Sequence, residues 1–165
     1  MIIKPNLLKG ASGSFHIKNG PNDRWGSRRF VLPKLKDGVK YTASFKARDL
    51  NAITNGKVSC IITNIQRNND IYIFKNIDAA DTIFVNFIHV EGRSEMICFY
   101  PGEAGNTYNT EGTIYNIKLV EEDKDDSYSP CKDDLEPSKQ AVFMAGGIQR
   151  NIPSIKSDWG IAYVS

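Results

Sequence analysis

The side chains that most often catalyse reactions are few in this chain and do not form known catalytic motifs. His16 and His89 are its two histidines, and neither lies in an HExxH or a comparable metal-binding spacing. Cys98 lies within an apolar run, where a thiol is poorly placed to act as a thiolate nucleophile. The sequence contains neither a GxSxG motif nor a P-loop. We therefore expect no enzymatic activity, no metal site and no cofactor.

Carboxylate pairs for glycoside cleavage are not marked either. Such a pair needs a separation of roughly 5–10 Å within a cleft. The acids of the first 100 residues fall mostly in predicted turns, and examples are Asp70, Asp78, Asp81, Glu91 and Glu95. The sequence singles out no two of them.

Saccharide binding is a second chemistry that the residue types allow. It requires flat aromatic faces for the C–H surfaces of sugars, together with guanidinium or amide groups for their hydroxyls. The candidates lie at predicted strand ends, in loops or on polar strand positions: Trp25, Arg48, Gln66, Tyr72, Asn86, Tyr100 and Tyr108. The alternative for each aromatic residue is structural, because Tyr and Trp commonly pack at sandwich rims with their polar groups in water.

Eight alternating runs must position these candidates. They span residues 14–19, 28–33, 40–49, 57–66, 71–77, 82–90, 95–100 and 112–120. Turn-forming segments such as "NGPND", "PKLKDG" and "PGEAGNTYNTEG" separate them, with no helical pattern between. Eight strands at this spacing predict an all-β fold, an antiparallel β-sandwich or jelly roll.

Two of these runs make specific predictions about burial. In strand 40–49, one face should point to the core: Tyr41, Ala43, Phe45 and Ala47. The other face should point to solvent or a ligand: Thr42, Ser44, Lys46 and Arg48. Strand 82–90 is apolar on both faces, which predicts a central strand covered on both sides. Its one polar interruption, Asn86, must then find hydrogen bonds. We favour a role in bracing a loop over contact with a polar ligand.

Composition and charge limit the class of protein. A chain of 165 residues with 41% hydrophobic and 24% charged residues is typical of one globular domain. No apolar run approaches the roughly 20 residues of a membrane helix. Residues 1–120 hold 16 Lys/Arg and 10 Asp/Glu, a net +6, and the remainder holds 5 and 9, a net −4. The positive excess is dispersed, so we expect neither nucleic acid nor a membrane as a partner.

The segment after the last strand is predicted to leave the sandwich. The predicted domain organisation is a jelly roll over 1–120, an acidic linker over 121–136 and a C-terminal arm over 137–165 with one short helix at its start. The arm carries apolar anchors at Ile152, Ile155, Trp159, Ile161 and Tyr163. We expect it to dock on a partner or on a second copy of the chain. The alternative is that it folds back over an edge strand of its own sandwich.

Four segments in order resemble a known family. "PNLLKG", "LKDGVKYTASFKAR", "MICFYPGEAGNTYNTEGTIYNIKLVEE" and "DSYSP" are similar to the carbohydrate-binding-module-like jelly rolls in tail, baseplate and receptor-binding proteins of phages that infect Gram-positive bacteria. The resemblance covers about residues 5 to 130. Tyr128 stands where the family more often has Trp, and residues 131–165 extend past its usual end.

The resemblance implies a non-enzymatic virion subunit of a tail tip or baseplate, synthesised in the host cytoplasm. Its implied partners are other tail or baseplate subunits or copies of itself, and its implied ligand is a saccharide of the host cell wall. Two alternatives remain. One is a structural decoration or connector protein without glycan binding, and the other is the binding module of a polysaccharide-degrading system.

Overall fold

The structure is a computed structural model that describes residues 4–66, 71–79, 81–121 and 128–135, without the side chains of Ile71 and Tyr72. Eight strands account for most of this part of the chain. They are β1 (Ser14–Lys18), β2 (Arg28–Val31), β3 (Lys40–Arg48), β4 (Lys57–Thr63), β5 (Ile71–Asp78), β6 (Ile83–Ile88), β7 (Met96–Pro101) and β8 (Glu111–Glu121). The eight predicted strands are confirmed, because each observed strand overlaps one alternating run.

The strands form two antiparallel sheets of four, which confirms the predicted β-sandwich. Sheet I has the order β1-β8-β3-β6, and sheet II has the order β2-β7-β4-β5. The described helical residues are two short 3-10 turns, Ala52–Thr54 and Lys132–Asp134. Within the described ranges, no helix has the length and apolarity needed to cross a membrane.

The core lies between the sheets and follows the predicted alternation. Tyr41, Ala43 and Phe45 of β3 point inward and are buried. The rings of Phe45 and Phe99, one from each sheet, lie 4.8 Å apart in an edge-to-face contact. Burial of each large apolar side chain contributes about 1.5–3 kcal/mol to folding, so this layer stabilises the scaffold that carries the loops.

The outer positions of β3 differ from the prediction. Thr42 and Ser44 are buried rather than solvent-facing, and Thr42 is only 1% exposed. Thr42 lies between Val120 of β8 and Asn86 of β6, and its hydroxyl donates a hydrogen bond of 2.8 Å to Asn86 Oδ1. Neighbouring strands on both sides therefore enclose a position that alternation alone marks as outward.

The predicted central position of strand 82–90 is wrong. β6 forms the edge of sheet I, with Val85 and Phe87 inward and Asn86 and Ile88 exposed. Apolar residues on both faces did not distinguish a central strand from an edge strand, because an edge strand tolerates a partly exposed Ile.

Residues 128–135, which lie within the predicted acidic linker, contact the N-terminal segment. The buried Asn6 side chain donates to the Ile117 and Ser129 carbonyls at 2.8 and 3.0 Å and accepts from the Leu8 and Leu119 amides. Further along, the Asp134 carboxylate accepts hydrogen bonds from the Gly10 amide and the Ser12 hydroxyl. The described part of the linker is thus attached to the sandwich. The three domain boundaries stay a prediction, and the helix and arm predictions lie outside the described residues.

Candidate functional site

An exposed tryptophan is held between two loops at one end of the sandwich. Trp25 belongs to the loop between β1 and β2, and its side chain is 39% exposed. A Cβ added at Gly105, in the loop between β7 and β8, would lie 3.0 Å from the indole Cη2 atom. The indole therefore packs directly on the Gly105 backbone, where only glycine leaves room for it. Its ring also meets Tyr100 edge-to-face, with the centroids 6.2 Å apart.

Thr107 fixes the two loops to each other. Its buried hydroxyl donates to the Asp23 carbonyl at 2.9 Å and accepts from the Gly26 amide at 3.1 Å. The Arg24 side chain adds a third connection, with Nε donating to the Gly105 carbonyl at 2.8 Å. Because these bonds bracket Trp25 on both sides in sequence, the position of the indole is determined by the fold.

A second set of hydrogen bonds anchors the base of the loops to the strands. The side-chain amide of Asn19 donates to Thr110 Oγ1 at 2.9 Å and to the Gly26 carbonyl at 3.2 Å. The backbone N–H of Asn109 donates to the Gly20 carbonyl at 3.1 Å. We call Trp25, Tyr100, Gly105 and the two bonded loops the Trp25 platform.

The outer face of sheet II carries apolar side chains beside the platform. Ile61, Met96, Cys98 and Tyr100 form a buried cluster on this side of the sheet. Val31 of β2 and Phe74 of β5, on the flanking strands, are exposed. Asn76 and Glu103 provide polar groups near the platform, with the side-chain amide of Asn76 donating to Glu103 Oε2 at 3.2 Å.

The structure divides the predicted binding residues between the two sheets. Trp25 and Tyr100 are in contact, and Tyr108 is exposed in the same loop as Gly105. Tyr100 itself is 1% exposed, so its ring supports the indole and presents no free face.

The other four candidates lie elsewhere. Arg48 and Asn86 belong to β3 and β6 of sheet I. Gln66 is exposed just beyond β4, and the side chain of Tyr72 lies outside the described part of the structure.

The residues that build the platform were not recognised from the sequence. Gly105, Thr107 and Arg24 lie in segments that are rich in turn-forming residues, which predicted only that the chain would turn there. Their roles depend on contacts across more than 80 positions of sequence, which local patterns do not report.

His89 and Ser94 form a buried pair within the described residues. His89 Nδ1 lies 2.8 Å from Ser94 Oγ, but Ser94 is fully buried and also bonds the Val90 amide and carbonyl. This pair braces a turn beside a cavity of about 470 Å³. Burial raises the pKa of both the Cys60 and the Cys131 thiols, which disfavours the reactive thiolate. Over the described ranges, no cluster of three or more His, Cys, Asp or Glu residues could hold a metal ion.

Comparisons with known proteins gave no family. No protein-family model and no curated protein matches the sequence. A solved structure described as "CBM4 structure and function" is similar with a TM-score of 0.47 and 18% identity, over 73% of this chain and 80% of the other.

Two further solved structures are less similar. The enzymatically active domain of bacteriophage CBA120 tailspike protein 4 has a TM-score of 0.36 and 11% identity, over 72% of this chain and 19% of the other. The CBM22-1 and GH10 modules of a Clostridium thermocellum xylanase, complexed with xylohexaose, have a TM-score of 0.36 and 9% identity. This match covers 86% of this chain and 32% of the other.

Proposed function

We propose that the protein is a non-enzymatic subunit of a phage tail tip or baseplate that binds host cell-wall saccharide through the Trp25 platform. The observation that carries the binding proposal is the exposed indole of Trp25, held on Gly105 and between hydrogen-bonded loops. An indole held in a fixed position at the surface gives the apolar face of a sugar ring a flat aromatic surface on which to stack. A fixed ring also loses little conformational entropy when a ligand stacks on it.

The virion role rests on the family resemblance of residues 5 to 130. On this proposal the protein is synthesised in the host cytoplasm and joins the virion, where its partners are other tail or baseplate subunits or copies of itself. The absence of catalytic motifs from the sequence supports a binding role over an enzymatic one.

Binding is tested by affinity electrophoresis of the intact chain through host cell-wall polysaccharides and neutral glucans. We expect retardation by at least one polymer. Replacing Trp25 with Ala should weaken that binding by about 1–3 kcal/mol, the scale of a buried aromatic contact. The matched control is Tyr128→Ala, which removes an aromatic side chain of similar exposure, 36%, from the segment beside Asn6.

Both variants must keep the melting temperature of the parent chain. Retardation by no polymer, or an equal loss in the Tyr128 variant, would favour a structural decoration or connector protein instead.

The assembly role is tested by removing residues 136–165. The cut follows Leu135 because Cys131 and Asp134 contact the N-terminal segment and should be retained. We expect a folded monomer that no longer joins its assembly, and a partial loss from Trp159→Ala alone. Size-exclusion chromatography with light scattering measures both. Unchanged assembly of the shortened chain would exclude the arm as the connector.

A further inference from the structure

The outer face of sheet I carries a group of cations where β1, β8 and β3 meet. Lys18 of β1 and Lys46 and Arg48 of β3 lie at outward positions of this sheet. We call these three residues the basic patch. The indole of the Trp25 platform packs on Tyr100 at the outer face of sheet II, so the basic patch is a separate surface.

The guanidinium of Arg48 is fixed in place by its neighbours. It lies over the Tyr115 ring, 4.5 Å from the centroid, and Nη2 donates to Ser14 Oγ at 3.2 Å. Its ion pair with Asp49 is long, at 3.6 Å, and the Asp49 side chain is 73% exposed, so solvent screens it. A guanidinium has five N–H donors, and most of those of Arg48 remain available to a ligand.

Arg28 is held in the same manner on the opposite side of β1. Its guanidinium carbon lies 4.5 Å from the Phe15 ring centroid and 5.4 Å from that of Phe30. Among the residues that the structure describes, no carboxylate pairs with Arg28. Because consecutive side chains of a strand point to opposite faces, Arg28 lies on the core-facing side of β1 and is not part of the basic patch.

Nearby acids do not neutralise the basic patch. The carboxylate of Glu111 is shared by His16 Nε2 at 2.9 Å and Lys18 Nζ at 3.7 Å. Glu111 and Asp49 are the two acids of this surface that pair with its cations, and with three basic residues the local charge is 3 − 2 = +1 while His16 is neutral. The patch thus attracts anions, and the guanidinium fork of Arg48 matches carboxylate or phosphate oxygens.

We propose that the basic patch binds the carboxylate or phosphate groups of an anionic polysaccharide. Hydroxyl-binding groups adjoin the cations, because His16, Thr113 and Tyr115 lie on the same face. A sugar chain offers hydroxyls to these groups, whereas an acidic peptide offers few. The proposal concerns a different surface from the Trp25 platform and does not depend on it.

The test uses the intact chain and three immobilised probes: phosphomannan, polygalacturonate and poly-glutamate. We expect salt-sensitive binding to phosphomannan or polygalacturonate, and the stronger of the two identifies phosphate or carboxylate as the preferred group. Arg48→Gln should weaken binding about tenfold, because it removes a charge-assisted contact. Arg28→Gln, which removes a stacked cation from the other side of β1, should leave binding unchanged. Arg48→Lys, which keeps the charge and loses the fork, should give a smaller loss.

The matched control is Lys34→Gln, which removes an exposed cation from the loop between β2 and β3. It should leave binding unchanged, as should Trp25→Ala. Three results would overturn the proposal: binding to neither polysaccharide, an equal loss in the Lys34 variant, or equally tight binding of poly-glutamate. If Trp25→Ala loses binding to neutral glucans but keeps binding to the anionic polysaccharides, the result assigns neutral glucans to the Trp25 platform and still supports the basic patch.

Discussion

The outer faces of the two sheets differ in how they hold the side chain that faces solvent. On sheet II, hydrogen bonds between two loops hold Trp25, and Val31 and Phe74 are exposed apolar side chains of the same sheet. On sheet I, stacking on Tyr115 holds Arg48, and the neighbouring surface is polar and cationic. Loops can be exchanged without changing the sheet beneath them, whereas Tyr115 and Arg48 belong to paired strands. One sandwich therefore presents two surfaces that suit ligands of different charge.

The largest expected difference between the two faces is in the free energy of unfolding that is lost when a threonine hydroxyl is removed. Thr107→Val should lower the free energy of unfolding by about 1–3 kcal/mol, because the Asp23 carbonyl and the Gly26 amide lose a buried partner. It should also weaken saccharide binding by loosening the loops. The matched variant on sheet I is Thr113→Val, whose hydroxyl, within the described part of the chain, has one side-chain partner, the exposed His16 ring at 3.2 Å. Its effect should be below about 0.5 kcal/mol.

Urea unfolding of both variants measures this comparison. Equal destabilisation by the two substitutions would show that the loop connection at Thr107 does not stabilise the fold.

A smaller effect is expected from a single methyl group at the platform. Gly105→Ala would place a Cβ within 3.0 Å of the indole, so Trp25 must move, and saccharide binding should fall about tenfold. The control is Gly38→Ala. Gly38 has a similar positive φ of 76°, against 85° for Gly105, but a Cβ there meets nothing within 4 Å.

Both variants carry the same backbone strain, so melting temperatures should fall together while only the Gly105 variant loses affinity. Affinity that falls equally in both would assign the loss to strain rather than to the indole.

The sequence predicted the scaffold better than the site. Alternation of apolar residues located all eight strands, because one buried face imposes a period of two. It did not identify β6 as an edge strand, since Ile88 is apolar but exposed. The order of strands in a sheet depends on which strands pair, and the sequence of one strand does not show its partners.

The site could be predicted only in part for a related reason. Trp25 was recognised as a loop aromatic, but its support comes from Gly105 and Thr107, which are distant in sequence. Arg48 was grouped with Trp25 on chemical type alone, and the sandwich places the two on different sheets. Residue type thus indicates what a side chain can offer to a ligand, whereas the tertiary fold decides which side chains lie together.

The most direct test of the account is an NMR titration of the intact, ¹⁵N-labelled chain with the neutral saccharide that binds best. The account predicts that the indole N–H of Trp25 and the amides of Gly105 and Tyr108 shift together, with one saturation curve. The amides of Ser14, Arg48 and Tyr115 should not move with that ligand. Shifts centred on sheet I, or a Trp25 signal that stays in place at saturation, would contradict the assignment of saccharide binding to the Trp25 platform.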